Sequence, residues 1–299
     1  MAQDGPGDQH EPSDGYHTAS AGLLPRGVVS TVGYDTQGIT AQLHRGLPSP
    51  YLTFIFSLEQ PIVTGTTAAQ AQGPQASFTE VLIAGLHAEP TYVVQPRRQS
   101  GIQLAVHPLA ARALFGMPTA EVPWVATEGV DVLGAGAARV REQLSEQTTW
   151  SARFGVLAHY LHQRVAAGRA PVAPRPELVE AWRWLARRRG SGSMDDLADH
   201  VGFSTRQLRT VFRREVGVSP QQVGRLMRFD AVKQEIATIV AAGGQPRLTE
   251  LAHRYGYCDH PHLDREFRQY AGLSPTAWVQ EERRNIQAGG HRLGQDSTS

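Results

Sequence analysis

Between residues 193 and 275 the chain carries one pattern twice. Leu197-Ala198 and Gly202-Phe203 return as Leu251-Ala252 and Gly256-Tyr257, 54 residues later. After one extra residue, Leu208, Phe212, Gly217, Ser219 and Pro220 return as Leu263, Phe267, Gly272, Ser274 and Pro275, 55 residues later. A unit repeated at a fixed separation suits a partner that also repeats at a fixed interval. Duplex DNA, with one major-groove face per helical turn, is such a partner.

Each copy encodes two short helices around a tight turn. In the first, Ser193 is an N-cap, and Asp195 and Asp196 complement the start of the helix dipole. Met194, Leu197, Ala198 and Val201 form one apolar face, and Gly202 stops the helix. Ser204 caps a second helix with the stripe Leu208, Val211, Phe212 and Val216, ended by Gly217. Helix, short turn, helix is the helix-turn-helix pattern, whose second helix enters the major groove. The exposed face of that helix carries Arg206, Arg209, Thr210, Arg213 and Arg214. An arginine can grip guanine O6 and N7 with two hydrogen bonds or pair with a phosphate. An Arg-rich face is also ordinary solvated surface, and it is the tandem setting that favours base contact.

In the second copy Asp259 is the expected N-cap, and Pro261 falls in the first turn, where a missing N–H does no harm. His260, Asp264, Arg265 and Arg268 point away from the Leu263/Phe267 stripe. Asp264 would repel phosphate but could orient Arg265 or accept from a cytosine amino group. Between the copies, Ser219-Pro220 starts a helix expected to run to about Val240, before Gly243-Gly244-Gln245-Pro246. About 20 residues span ~30 Å, close to the ~34 Å turn of B-DNA. Such a helix is expected to hold two recognition helices in successive major grooves.

The stretch from about Glu177 to Glu282 resembles the DNA-binding domain of the AraC/XylS family of bacterial transcriptional regulators. Gly256-Tyr257, His262-Leu263, Arg265, Phe267-Arg268 and Gly272-Leu273-Ser274-Pro275 carry the resemblance most strongly. It implies base contacts from Arg206, Arg209 and Thr210 in the first unit and from His260, Pro261, Asp264 and Arg265 in the second. Ser204, Thr205, Arg213, Arg214 and Arg268 are the expected phosphate contacts. Pro261 has no N–H and offers only apolar contact, so the second helix is expected to discriminate bases less than the first.

The net charge of +1 over 299 residues hides an asymmetry. Residues 1–174 hold 10 arginines against 13 acids, and residues 175–285 hold 18 basic residues against 14 acids. The positive excess sits with the repeat, as a nucleic-acid reader requires, although it is modest. Cys258 is the only cysteine, which precludes an intrachain disulfide and agrees with a reducing compartment; a redox role for it is disfavoured. No apolar run reaches the ~18 residues of a membrane span. The N-terminus lacks the basic start and apolar core of a signal peptide. A cytoplasmic location is therefore expected. Residues 1–20 and 286–299 read as disordered tails.

Residues 21–166 are expected to form an effector-binding or dimerising domain. Runs at 28–34, 51–58, 77–84, 91–94 and 102–106 are β-branched and aromatic, separated by Gly, Pro and Gln, and suggest a small barrel or sandwich. The family resemblance implies a cupin-like barrel. His44, His87 and His107 lie on separate segments without a His-x-His pair, so a metal is not expected there. Val130–Gln147 and Thr148–Ala167 read as two helices able to pair copies or pack on the barrel. His159 and His162 on the second are taken as solvent or interface residues. A proline-rich linker is expected over 167–176, followed by the tandem helix-turn-helix domain at 177–285, opened by a helix carrying Leu178, Trp182 and Leu185.

The fold class expected is therefore α+β in two domains: a β-rich domain with terminal helices, then an all-α domain. The function expected is sequence-specific transcriptional regulation without catalysis or cofactor. Double-stranded DNA is the expected partner, with a small-molecule effector or a second copy at the N-terminal domain, and RNA polymerase if the protein activates. Two alternatives stay open: an adaptor that kept the scaffold but lost DNA binding, and a cupin-like enzyme tethered to DNA. The second lacks Gly-x-Ser-x-Gly, a phosphate-binding Gly loop and Cys/His ligand spacing.

Overall fold

A computed structural model describes residues 13–38, 41–167 and 173–287. The strands are β1 (Ser13–Thr18), β2 (Val28–Gln37), β3 (Gln42–Gly46), β4 (Leu52–Ser57), β5 (Ile62–Gly65), β6 (Ser77–Thr79), β7 (Val81–Ala84), β8 (Thr91–Gln95), β9 (Arg98–Val106) and β10 (Thr127–Glu128). They pair into a six-stranded sheet in the order β1-β2-β9-β4-β7-β10 and a four-stranded sheet in the order β3-β8-β5-β6. The two sheets do not close on each other, so the domain is a sandwich rather than a barrel.

The period of two along the strands sorts the layers. Leu52, Phe54 and Phe56 of β4, with Ile102, Leu104 and Val106 of β9, bury on one face. Thr53, Ile55 and Ser57, with Gln99 and Gln103, point the other way into a cavity that the four-stranded sheet also lines. The apolar face is covered by helices. After the short α1 (Ala68–Ala71) come α2 (Ala111–Phe115), α3 (Gly129–Leu133), α4 (Gly136–Glu146) and α5 (Trp150–Ala167). Phe115 meets Phe54 edge-on at 5.5 Å, and Tyr160 meets Phe56 at 6.4 Å.

Three expectations need correction in this half. The single helix over Val130–Gln147 is two, because Gly134 adopts φ +77°, which interrupts helical hydrogen bonding. The expected tail at 1–20 contains β1, which pairs antiparallel with β2; residues 1–12 lie outside the described residues. His17 on β1 stacks on Trp150 at 4.6 Å, which ties that strand to α5. The run 77–84 is two strands in different sheets, split at Glu80.

The C-terminal half is helical: α6 (Pro176–Arg187), α7 (Met194–His200), α8 (Thr205–Val216), α9 (Pro220–Ala241), α10 (Leu248–Arg254), α11 (His260–Ala271) and α12 (Pro275–Gln287). Among the described residues no helix is long and apolar enough to cross a membrane. Residues 168–172 of the expected linker and 288–299 of the expected tail lie outside the described residues.

The first unit does not have a separate core. Leu178, Trp182, Leu197, Leu208, Phe212, Val223 and Met227 belong to the same buried cluster as the apolar face of the six-stranded sheet. Trp182 packs on His107 at 4.8 Å, and Arg112 of α2 pairs with Glu215 of α8 at 2.9 Å. The second unit has its own core, built from Leu226, Phe229, Val232, Ile236 and Val240 of α9 with Leu251, Leu263, Phe267 and Trp278. The long helix is therefore not a rod with one unit at each end. Its first three turns contact both units, Val223 and Met227 facing the first, Leu226 and Phe229 the second, and the later turns continue the second unit's core through Val232, Ile236 and Val240.

Candidate nucleic-acid interface

The two expected recognition helices are α8 and α11, and each is set by its own caps. Ser204 accepts from the Gln207 amide at 3.2 Å while Gln207 Oε1 accepts from the Ser204 amide at 2.9 Å, a reciprocal capping box. Gly217 closes α8 in the left-handed conformation, φ +86°. Asp259 accepts from the His262 amide at 2.7 Å and starts α11, with Pro261 in its first turn and Gly272 at its end. In α10, by contrast, no side chain caps the start at Arg247.

With Leu208, Val211, Phe212 and Val216 buried, α8 turns Arg206, Arg209, Thr210, Arg213 and Arg214 to solvent. Arg214 is held by Glu215 at 3.0 Å, whereas no ion pair engages Arg206, Arg209 or Arg213 among the described residues. Thr210 donates its hydroxyl to the Arg206 carbonyl at 2.9 Å, leaving only its lone pairs for a partner. Ser204 is exposed and its hydroxyl is spent on the capping box, so an anion there would meet backbone N–H groups instead; Thr205 is half-buried.

The face of α11 is weaker. Arg265 and Pro261 are exposed. Asp264 does not orient Arg265: its Oδ2 takes the Arg268 Nε at 2.7 Å, one helical turn on. His260 is half-buried, and its Nε2 is enclosed without a hydrogen-bond partner, so the ring does not present that edge outward. One unengaged arginine on α11 stands against three on α8.

Two features escaped sequence reasoning. The first is Glu266 on α11, only 2% exposed, which accepts from Arg225 Nε at 2.7 Å and Arg228 Nη2 at 3.3 Å, both on α9. A charged residue three positions after Leu263, on the core side, was the available signal. The second is a cavity of about 430 Å³ between the sheets, lined at one end by α9 and α12. Tyr34, Gln95 and Gln103 line it from the sandwich, and Lys233, Trp278 and Glu282 from α9 and α12. Lys233 pairs with Asp230 at 2.7 Å, and Arg45 of β3 bridges to Glu281 of α12 at 3.2 Å across the domain boundary. Burial drives the Glu282 carboxyl up to about 7, against a smaller downward pull from Lys233. Nothing local in the sequence marks residues so far apart as neighbours.

Four of the remaining histidines hold hydrogen bonds. His107 caps the turn after β9 by accepting from the Leu109 amide at 3.1 Å. His87 donates to the Glu89 carbonyl at 2.6 Å and His162 to the Leu23 carbonyl at 3.0 Å, while His159 bonds Gln163 at 2.8 Å. Among the described residues no three potential metal ligands gather.

A family model described as a helix-turn-helix domain matches residues 197–281. The transcriptional activator AarP of Providencia stuartii is 27% identical over 86 residues, covering 29% of this chain and 60% of AarP. The chain thus spans less than two thirds of that relative. Among solved structures, ToxT of Vibrio cholerae is similar over 84% of this chain and 97% of its own, at 8% identity and a TM-score of 0.48. A Chromobacterium violaceum regulator with an AraC-type DNA-binding domain is 24% identical over 37% of this chain and 92% of its own, with a TM-score of 0.31.

Proposed function

We propose that the helix-turn-helix domain matched over residues 197–281 is of the AraC type its sequence resembles, and that the protein is a sequence-specific transcriptional regulator that places α8 and α11 in successive major grooves. The observation that carries this is the pair of independently capped second helices, each with exposed arginine, packed on one shared helix. Three unengaged arginines make α8 the main reader, and α11 adds Arg265 and an apolar contact from Pro261. Replacing Arg206 or Arg209 with Ala is expected to cost ~1–3 kcal/mol at the cognate site and to leave non-specific binding largely intact. Operators selected from genomic fragments at ~150 mM salt supply the probe. Parent-like affinity in both variants would refute the assignment of α8.

The sandwich cavity supports a second element of the proposal, an effector site. Its volume suits a small organic molecule. Lys233, Gln234, Ala237 and Ala241 face it from α9, while Arg225, Arg228 and Glu235 hold the second unit from the roughly opposite side of that helix. A ligand in the cavity would therefore press on the helix that both reading units share. A compound that raises the melting temperature of the parent, but not of a variant with Ala84→Trp filling the cavity, would identify the site.

A further inference from the structure

We infer that Glu266 is a positioning residue that sets the distance and angle between the two recognition helices, and so the spacing of the DNA elements the protein accepts. The inference rests on the two-groove reading above. It starts from where the units meet. Over residues 223–229 the shared helix α9 contacts the first unit through Val223 and Met227 and the second through Leu226 and Phe229. Apolar side chains fix that two units touch but tolerate sliding and rocking, because their attraction is not directional. Directional bonds fix the angle.

Glu266 supplies them. It leaves the core face of α11 and accepts from Arg225 and Arg228 with the same Oε1. Each guanidinium is held from a second side as well. Arg228 lies over the Tyr257 ring at 4.8 Å and Arg225 over the Tyr270 ring at 5.6 Å, with Arg225 also donating to Gln269 at 2.8 Å. Those three partners all belong to the second unit: Tyr257 precedes α11, and Gln269 and Tyr270 lie on it. Burial, with the Glu266 charge adding to it, holds the Tyr257 hydroxyl far above its ordinary range. The cluster thus joins two adjacent turns of α9 to the middle of α11, at the point where the first unit is attached on the other side.

A buried carboxylate between two arginines is a poor choice for stability alone, since desolvation offsets most of the attraction and apolar residues of similar size serve as well. What such a pair adds is a single geometry. One base pair of added or removed spacing shifts the second element by ~3.4 Å and rotates it by roughly 35°. A rigid reader loses contacts on that change; a loosened one follows it.

The test uses the full chain, and operators that differ only in the number of base pairs between the two elements. The parent is expected to prefer one spacing by ~10-fold over its neighbours at one base pair more or less. Glu266→Gln keeps the shape but not the charge, and is expected to reduce that preference to ~3-fold or less, on the same scale. Arg225→Gln removes the shorter pair at a half-exposed position and is expected to act in the same direction, which covers the case of E266Q not folding. A purely structural defect would weaken all spacings by one factor and keep their ratio. That outcome, or an unchanged preference in folded variants, overturns the positioning role. Absence of any spacing preference in the parent overturns the two-groove reading itself.

Discussion

Asp264→Ala should strengthen DNA binding and make it more sensitive to salt. In the free protein, Asp264 and Arg268 form a pair 2.7 Å long, with the arginine side chain 64% exposed and the aspartate 31%. An exposed i, i+4 pair contributes only ~0.3–0.5 kcal/mol, so a phosphate can displace the carboxylate at little cost. The carboxylate nevertheless stays at the DNA surface and cancels one positive charge. Its removal raises the net charge of that face of α11 from the value set by Arg265 and Arg268 less one to the full two. Each added phosphate neutralisation steepens the slope of log K against log salt by ~0.9. Across a fourfold rise in salt, D264A should therefore lose roughly 3–4-fold more affinity than the parent. At low salt it should bind any duplex about 2-fold more tightly, the equivalent of the pair that no longer has to open. Fluorescence anisotropy on a selected operator and a scrambled duplex, from ~50 to 200 mM salt, measures both. An unchanged or shallower slope would refute the electrostatic reasoning. Loss of ~1–3 kcal/mol on the operator alone would instead make Asp264 a reader of cytosine.

Other expectations concern stability. Gly190 has φ +74°, and a Cβ there would lie 1.8 Å from the Gly224 carbonyl oxygen on α9; Gly190→Ala should cost about 2–5 kcal/mol in denaturant titration, combining a left-handed backbone with a backbone clash. Phe212 is fully buried where the first unit joins the sandwich. Phe212→Ala should cost ~3–5 kcal/mol and melt the two domains together; separate transitions with only the second shifted would contradict the continuous core. The Glu282 carboxyl sits at about 7, above the ordinary 4.5. Between those values the unfolded chain ionises while the folded one keeps its proton. Stability therefore falls as pH rises through that window, by up to about 3 kcal/mol, and is flat above it. Glu282→Gln should abolish that slope. His107 has the opposite sign. Burial lowers it to about 4, so stability present above pH ~6.5 is lost as pH falls toward 4, and His107→Gln should remove that loss.

What was legible in the sequence was whatever is decided within one turn or one strand. Ser193, Ser204, Ser219 and Asp259 cap the helices they announced, because a cap needs only the next three residues. The strands β2, β4, β8 and β9 were visible because both faces are apolar or alternate cleanly, whereas β3 and β5 were not. β3 reads Gln42-Leu43-His44-Arg45-Gly46, and its polar residues make sense only beside the cavity and Glu281. The same limit explains the site. The exposed arginines of α8 follow from the stripe opposite them, since a helix that buries one face must show the other. Whether each is available depends on partners elsewhere, and the answer differed: Arg214 and Arg268 are engaged, whereas no ion pair holds Arg206, Arg209, Arg213 or Arg265 among the described residues. The expected span of the long helix was right, 22 residues against about 20. Helix length is a local property. The placement of two units also depends on which faces of that helix they occupy, and here Val223 and Met227 pack with the first unit while Leu226 to Val240 pack with the second. On the two-groove proposal, operator spacing is expected to depend on the packing around Val223 to Phe229 and on the Glu266 cluster as well as on the rise of the helix.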